Sequence, residues 1–273
     1  MPAVPHRSRI HLLAAKEAPI IVILQRKRSK LFHVVTVETE NHGINEGSWF
    51  RGKLNAIQSD VSFDGQYMVY LARGAHAKNW SGVCHLPWLK TLVHVEAPLT
   101  GGGYFSGRHD LKTHGWDHSE KIFSSDVPFT IVRDPKRHFG YELANIYGRF
   151  ERDGFTRLGG NWGKEQEFKT PRYHVVCTGD DGWGRRPGRG YPELQVRYLG
   201  FLNSEFKFSF VLDEHPDLLK GANWATWDVT NSLWVARPGI VEQFTLDDLR
   251  RGTPSFSLDV DQFEPPAKSD KEA

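Results

Sequence analysis

The densest group of side chains able to hold a metal lies in one stretch, His109-Asp-Leu-Lys-Thr-His-Gly-Trp-Asp-His118. The imidazoles of His109, His114 and His118, with the carboxylates of Asp110 and Asp117, could build a zinc or iron site if the chain folded them together. Their spacing matches no established ligand pattern, and Gly115 beside Trp116 marks an irregular insert. The plainer expectation is a solvated loop in a protein with 13 histidines, with no cofactor and a divalent metal as the alternative.

Phosphate chemistry is offered by three basic stretches, Arg26-Lys-Arg-Ser-Lys30, Arg133-Asp-Pro-Lys-Arg-His138 and Arg185-Arg-Pro-Gly-Arg-Gly190. In the last, Arg185, Arg186 and Arg189 could reach phosphates while Trp183 stacks on a base. Nucleic-acid contact would need these stretches to converge on one face, and separate solvated loops are the expected arrangement. Trp116, Trp162 and Trp183 each stand beside a glycine, which predicts exposed loops. Aromatic and Arg side chains anchor protein interfaces, so the expected binding residues are Trp116, Trp162, Trp183, Arg185, Arg186 and Arg189.

Nucleophile chemistry finds little support. Gly-x-Ser-x-Gly, the phosphate loop Gly-x4-Gly-Lys-Ser/Thr and His-Glu-x2-His are absent from the sequence. Cys84 and His85 are adjacent, so on a strand they point to opposite faces and form no thiolate–imidazole pair. Cys177 follows two valines and reads as a small buried hydrophobe. Asp180 and Asp181, with Glu165 and Glu167 upstream, read as acidic turns. Gly101-Gly-Gly103 reads as a site of tight strand packing rather than a phosphate cradle.

Whatever these groups do, a scaffold must place them. The 273 residues carry 35 basic and 33 acidic side chains, a formal charge of +2, which argues against whole-surface attraction to nucleic acid or anionic lipid. Two cysteines make neither a disulfide framework nor a four-thiolate zinc site. Aromatic residues reach 12%, with nine Trp and 26 Gly, a mixture that suits short strands and turns better than long helices. The early apolar run at residues 20–24 is too short for a signal-peptide core, and no run approaches a membrane span. A cytoplasmic protein with no membrane contact is the expectation.

Residues 1–19 read as an N-terminal segment with at most a short helix over 8–18, ended by Pro19. Residues 20–263 read as a single all-β domain and 264–273 as a disordered tail. Two β-rich runs, 20–24 and 31–37, flank a polar bridge and predict a hairpin. Residues 146–150 and 155–158 flank Glu151-Arg-Asp-Gly154 and predict another. Strands are also expected at 66–72, 83–95 with a break at Pro87, 173–177, 193–203 and 205–212.

One internal repetition stands out. Phe63-Asp-Gly-Gln-Tyr-Met-Val-Tyr-Leu-Ala-Arg73 lies over Trp227-Asp-Val-Thr-Asn-Ser-Leu-Trp-Val-Ala-Arg237 without a gap, matching an aromatic, Asp, and a terminal Ala-Arg. Asp at such a turn bonds the backbone two residues ahead and sets the angle at which the next strand begins. The window from Asp60 to Tyr70 resembles the repeat motif of TolB-type, WD-like β-propeller proteins. The window from Trp224 to Arg237 resembles a degenerate copy, without the Gly after Asp228. The whole chain also resembles uncharacterised bacterial proteins with such motifs near both ends.

The resemblance implies a propeller-like ring, and roughly 40 to 50 residues per blade gives about five small antiparallel sheets. A β-sandwich or partly closed barrel is the alternative. The first strands would close the ring against the last, with Trp49, Trp80, Trp88, Trp224, Trp227 and Trp234 between blades. The expected function is a non-catalytic protein-interaction module or scaffold. Alternatives are a metal- or ligand-binding enzyme using the segment from His109 to His118, and nucleic-acid contact through the loop from Arg185 to Arg189.

Overall fold

The computed structural model describes residues 7–74, 78–96, 101–114, 116, 123–124, 126–133, 141–159, 168–170, 173–175, 182–202 and 205–267. Blade 1 consists of β1 (Arg9–Ala14), β2 (Ile20–Arg28), β3 (Leu31–Glu38) and β4 (Ile44–Arg51), paired in that order. Blade 2 follows as β5 (Lys53–Val61), β6 (Tyr67–Arg73), β7 (Asn79–His85) and β8 (Thr91–Glu96). Blade 3 starts with β9 (Gly103–Gly107) and β10 (Asp110–Thr113). The short β11 (Phe123–Ser124) then returns to the edge of blade 2, and β12 (Thr130–Arg133) joins β10 in parallel.

After helix α1 (Tyr141–Arg152) comes β13 (Thr156–Gly159), then the hairpin of β14 (Phe168–Thr170) and β15 (Tyr173–Val175). Strands β16 (Gly182–Arg185), β17 (Leu194–Leu202) and β18 (Glu205–Leu212) complete blade 4 with β13. Blade 5 is β19 (Trp224–Trp227), β20 (Leu233–Arg237), β21 (Ile240–Phe244) and, after helix α2 (Leu246–Arg251), β22 (Phe256–Asp259). The five sheets form a five-bladed β-propeller, antiparallel except for the β10–β12 pair. Among the described residues no helix is long and apolar enough to cross a membrane.

Alternating side chains explain why sheets stack into a ring. On β1, Ile10 and Leu12 enter one core while Leu13 enters another; on β2, Ile21 and Ile23 oppose Val22 and Leu24 in the same way. Blade 1 is thus apolar on both faces, which is why residues 20–24 read as an unbroken hydrophobic run. Blade 2 repeats the device, with Met68 and Tyr70 turned toward blade 1 and Val69 toward Phe105 and Leu111 of blade 3. Each fully buried aliphatic side chain contributes about 1.5–3 kcal/mol.

The ring closes through the first residues. The Ile10 N–H donates to Asn223 Oδ1 at 3.2 Å, and the Gly239 N–H donates to the Ser8 carbonyl at 2.8 Å. Buried Gln25 donates through Nε2 to Ser8 Oγ and to the Val260 carbonyl, both at 2.9 Å. The expected closure of first strands on last is therefore found, but β1 takes part in it, so where at most a short helix was expected over 8–18, residues Arg9–Ala14 form a strand. Burial on both faces overrides the weak helical spacing of Ile10, Leu13 and Ala14.

A second correction lies at residues 146–150, where a strand was expected and α1 is found. Ile146, Tyr147 and Phe150 recur at helical spacing on its buried side. Its end is a Schellman motif: Phe155 N–H donates to the Phe150 carbonyl at 2.8 Å and Gly154 N–H to Glu151 at 3.1 Å, with Gly154 at φ 82°. The Phe150 and Phe155 rings close the motif at 5.1 Å. The glycine read as a hairpin turn is instead the left-handed residue that stops the helix. α1 packs against β5 and β9 on one side and, through Tyr147 on Trp183, against blade 4 on the other, filling the middle of the ring.

Both expected Asp turns are present, between β5 and β6 and between β19 and β20, the same place in two blades. Asp64 Oδ1 accepts from Ser62 Oγ and the Gln66 N–H. Asp228 Oδ1 accepts from the Thr230 and Ser232 N–H groups, and its Oδ2 accepts the Trp234 indole N–H at 2.9 Å. Of the tryptophans expected between blades, Trp224, Trp227 and Trp234 are buried and Trp49 and Trp80 half-buried. Trp88, three residues beyond β7 and next to the cis Leu86–Pro87 bond, is exposed. Of the expected tail, residues 264–267 are described, and Glu264 accepts from Lys27 Nζ at 2.7 Å.

Candidate functional site

The structure separates the residues picked out by sequence. Trp116 and Trp183, expected in exposed loops, are each only 4% exposed. Trp116 donates its Nε1–H to the Gly102 carbonyl at 2.9 Å within the core between blades 2 and 3, and Trp183 lies on Tyr147 and Phe150 of α1. The glycines beside Trp183, Gly182 and Gly184, lie in β16, and a Cβ on Gly184 would stand 2.7 Å from Glu193 Oε1. Trp162, His118, Asp117, Cys177, Glu165, Glu167, Asp180 and Asp181 lie outside the described residues.

Arg186 is exposed but tied down, donating to the Tyr191 carbonyl and to Asp213. Arg189 is exposed and forms no hydrogen bond or ion pair with another described residue. His109 is exposed at the start of β10 whereas His114, just past its end, is buried. Among the described residues no three His, Cys, Asp or Glu side chains gather to hold a metal ion. Cys84 is buried with its thiol on the Met68 carbonyl, and burial pushes its pKa up to about 12, so it is no nucleophile. The glycine stretch is a packing point, as expected: a Cβ on Gly102 would collide with the Gln58 carbonyl oxygen.

Charged side chains do gather at the centre of the ring. The β5 strand advances five residues, from Asn55 to Asp60, while its partner β6 advances two, from Leu71 to Val69. This bulge turns Ser59 and Asp60 toward α1. Asp60 Oδ2 accepts from the Phe105 N–H and from Arg152, while Arg149 Nε stands 3.5 Å from Asp60 Oδ1 and its Nη1 donates to the Ser59 carbonyl. Arg152 also grips Asp153 through two nitrogens. Burial pushes the Asp60 carboxyl above its ordinary range, against the pull of Arg152 and Arg149. With both arginines engaged on one carboxylate, this cluster is internal glue rather than a ligand seat.

One open recess is a cleft of about 290 Å³ at the end of the ring where β1, β5 and β19 begin. Its floor is aromatic, formed by Phe32, Phe208, Trp224 and His11, whose ring lies 3.9 Å from that of Trp224. His11 is buried, its Nε2 has no partner, and burial beside Arg149 holds its pKa well below the ordinary value. The rim carries Arg9, Arg26, Lys53 and Lys207. Only one carboxylate, Glu205, lines the cleft; it accepts from Arg9, Arg26 and Lys207, which hold its pKa down at about 2 despite partial burial. Four cations facing one ionised carboxylate leave the mouth strongly positive.

Arg26 alone of these rim residues was legible as functional, because Arg9 falls in the segment read as a short helix and the others sit singly on separate strands. The first and third basic stretches do not pool, and residues 134–138 of the second lie outside the described residues. Arg26 lines this cleft beside Arg9, whereas Arg185 lines a smaller recess with Lys16 past the far end of β1, seven residues further along that chain. At about 3.3 Å per strand residue, the two sites are separated by roughly 20 Å.

No protein-family model and no curated protein matches the chain, so the TolB-type likeness stays a resemblance while the propeller rests on its own strand pairing. Among solved structures, the chain is similar to an uncharacterised protein of Listeria monocytogenes at 10% identity and a TM-score of 0.35, covering 96% of each chain. It is also similar to a structure from a study of two prolyl endopeptidases, at 12% identity and a TM-score of 0.32, over 96% of this chain and 43% of that one.

Proposed function

We propose that the protein is a non-catalytic interaction module of the cytoplasm that seats an acidic segment of a protein partner in the cleft at the start of β1, β5 and β19. The observation that carries this reading is the unbalanced charge of that cleft, where Arg9, Arg26, Lys53 and Lys207 meet only Glu205 above an aromatic floor. Lys53 forms no ion pair with another described residue, so its charge is available to an incoming carboxylate. Phe208 and Trp224 supply apolar area beneath, the combination of aromatic anchor and cationic rim on which interfaces depend.

A nucleic-acid partner is less favoured, because its phosphates call for a continuous basic track, whereas Arg26 and Arg185, of the first and third basic stretches, line recesses at opposite ends of β1. Affinity capture with the tagged chain tests the proposal, comparing wild type with Lys53→Glu, Arg26→Ala and the remote Arg186→Ala. A protein partner held by wild type and Arg186→Ala, released by raised salt and lost with Lys53→Glu at unchanged Tm, is the expected result. Equal retention of every partner by all four proteins overturns it.

A further inference from the structure

We infer that a carboxylate of the protein partner bridges Lys53 of β5 and Arg73 of β6, as Glu205 bridges Arg9 and Arg26, so that the acidic segment runs on from the cleft over the turns that meet at Gly52. The inference rests on the reading that the cleft seats an acidic segment, and it adds a second contact outside the cleft.

Glu205 shows the device completed within the chain. Arg9 and Arg26 stand directly opposite each other in the β1–β2 register, and Glu205 accepts from Arg9 through Oε2 and from Arg26 through Oε1. Residues directly opposite on an antiparallel pair bring their Cβ atoms within about 4.5–5.5 Å, and like charges placed so repel. The carboxylate converts that repulsion into two charge-assisted hydrogen bonds.

Lys53 and Arg73 stand in the same relation across β5 and β6, without such a carboxylate. Two further cations join them. The Gly52 N–H donates to the Lys30 carbonyl at 3.0 Å, and a Cβ on Gly52 would stand 2.6 Å from the Arg73 carbonyl oxygen. Lys30, Arg51, Lys53 and Arg73 therefore branch from one point. All four are exposed, and none forms an ion pair with another described residue. The turns at this end of blades 1 and 2, residues 29–30, 52 and 74–78, contain no acidic residue. Glu96, at the end of β8, stands in line with Trp80 and Ala72, one position off Arg73. Strand alternation turns it to the opposite face, where it lies 3.9 Å from Lys78.

Lys53 also lines the cleft, so a segment seated there meets this cluster as it leaves. Phosphates fit the cluster less well. A nucleic-acid single strand calls for exposed rings on which bases stack, and Trp88, the exposed tryptophan of the described residues, follows β7 at the other end of the ring. A duplex calls for cations spread along a track rather than four around one glycine.

The test measures fluorescence anisotropy of two labelled peptides on the full chain, one of phenylalanine followed by two glutamates and one of phenylalanine followed by eight. The long peptide should bind wild type about tenfold tighter than the short one. Arg73→Ala, outside the cleft, should remove most of that advantage and leave the Kd of the short peptide unchanged, and the remote Arg186→Ala should preserve both. Arg73→Glu, which sets opposite charges facing across the strands, should abolish the advantage and raise Tm at low salt. A short peptide that wild type does not bind, with long-peptide binding still lost in Arg73→Ala, overturns the cleft reading and upholds the bridge. Equal Kd values for the two peptides, or an advantage that survives both Arg73 variants, overturns the bridge. A ten-residue oligothymidylate or phosphatidylglycerol vesicles, bound tenfold tighter than the long peptide and released by Arg73→Ala, would assign the cluster to phosphates and overturn it as well.

Discussion

Asp60 of β5 and Arg152 of α1 form an ion pair in which the carboxylate is 1% and the guanidinium 6% exposed. The same carboxylate holds the Phe105 N–H of β9, so one side chain joins blade 2, blade 3 and the central helix. A pair so deeply buried contributes little by existing, since desolvation offsets attraction, but breaking it leaves an uncompensated charge.

Asp60→Asn should therefore lower the unfolding free energy by about 3–5 kcal/mol, the usual consequence of removing one partner of a buried pair. Urea unfolding of both proteins at neutral pH measures it. A loss below about 1 kcal/mol would mean that water reaches Arg149 and Arg152.

The two Asp turns should respond unequally. Asp228 is 2% exposed and satisfies two backbone N–H groups, a hydroxyl and the buried Trp234 indole. Asp64 is exposed and bonds one hydroxyl and one N–H. Asp228→Ala should cost several kcal/mol, whereas Asp64→Ala should cost about 0.5–1.5 kcal/mol. Trp234→Phe, which keeps a ring but removes the donor, should fall between them, combining a lost hydrogen bond with a small cavity. Thermal unfolding of the three variants ranks them directly.

Acid should destabilise the ring in two stages. His33 is buried against Trp49, with ring centroids 4.1 Å apart, and burial, with Lys27 adding to it, lowers its pKa to about 4; burial and Arg149 lower His11 as well. A histidine depressed below its ordinary 6.5 takes up its proton more readily when unfolded. Its contribution is full above pH 6.5 and falls as pH drops toward 4. Glu205, depressed from 4.5 to about 2 by Lys207, Arg9 and Arg26, adds a second loss between those values. Stability measured by urea midpoint should be flat above neutrality, decline below about pH 6.5 and steepen below about pH 4.5. His33→Phe should flatten the upper stage; an unchanged profile in that variant would assign the decline to other groups.

The blades were legible because each is a run of short alternating strands with Asp- and Gly-rich turns, and the match of Phe63–Arg73 to Trp227–Arg237 marks the same turn in two blades. What escaped reading were features set by distant parts of the chain. Arg9 and His11 belong to a strand that pairs with β2 and packs beside Asn223 and Trp224 of blade 5, which no local spacing signals. Trp183 has the glycine neighbours of a loop residue, yet α1 covers it. Lys53, Lys207 and Glu205 are ordinary surface residues in sequence and meet only when blades 1, 2 and 4 are assembled.

The placement of α1 inside the ring gives the last prediction. Gly148 faces the Tyr104 ring of β9 so closely that a Cβ would stand 2.7 Å or less from three of its ring atoms. Tyr104 is itself buried, so its ring has no open space to swing into. Helix propensity alone favours alanine over glycine by about 1 kcal/mol. Overpacking against Tyr104 outweighs that gain, and Gly148→Ala should destabilise the protein by about 1–3 kcal/mol. Tyr104→Leu should relieve the clash, so the double variant should be more stable than the sum of the two single losses. A Gly148→Ala protein more stable than wild type would instead place the helix outside the ring, free to profit from its better propensity.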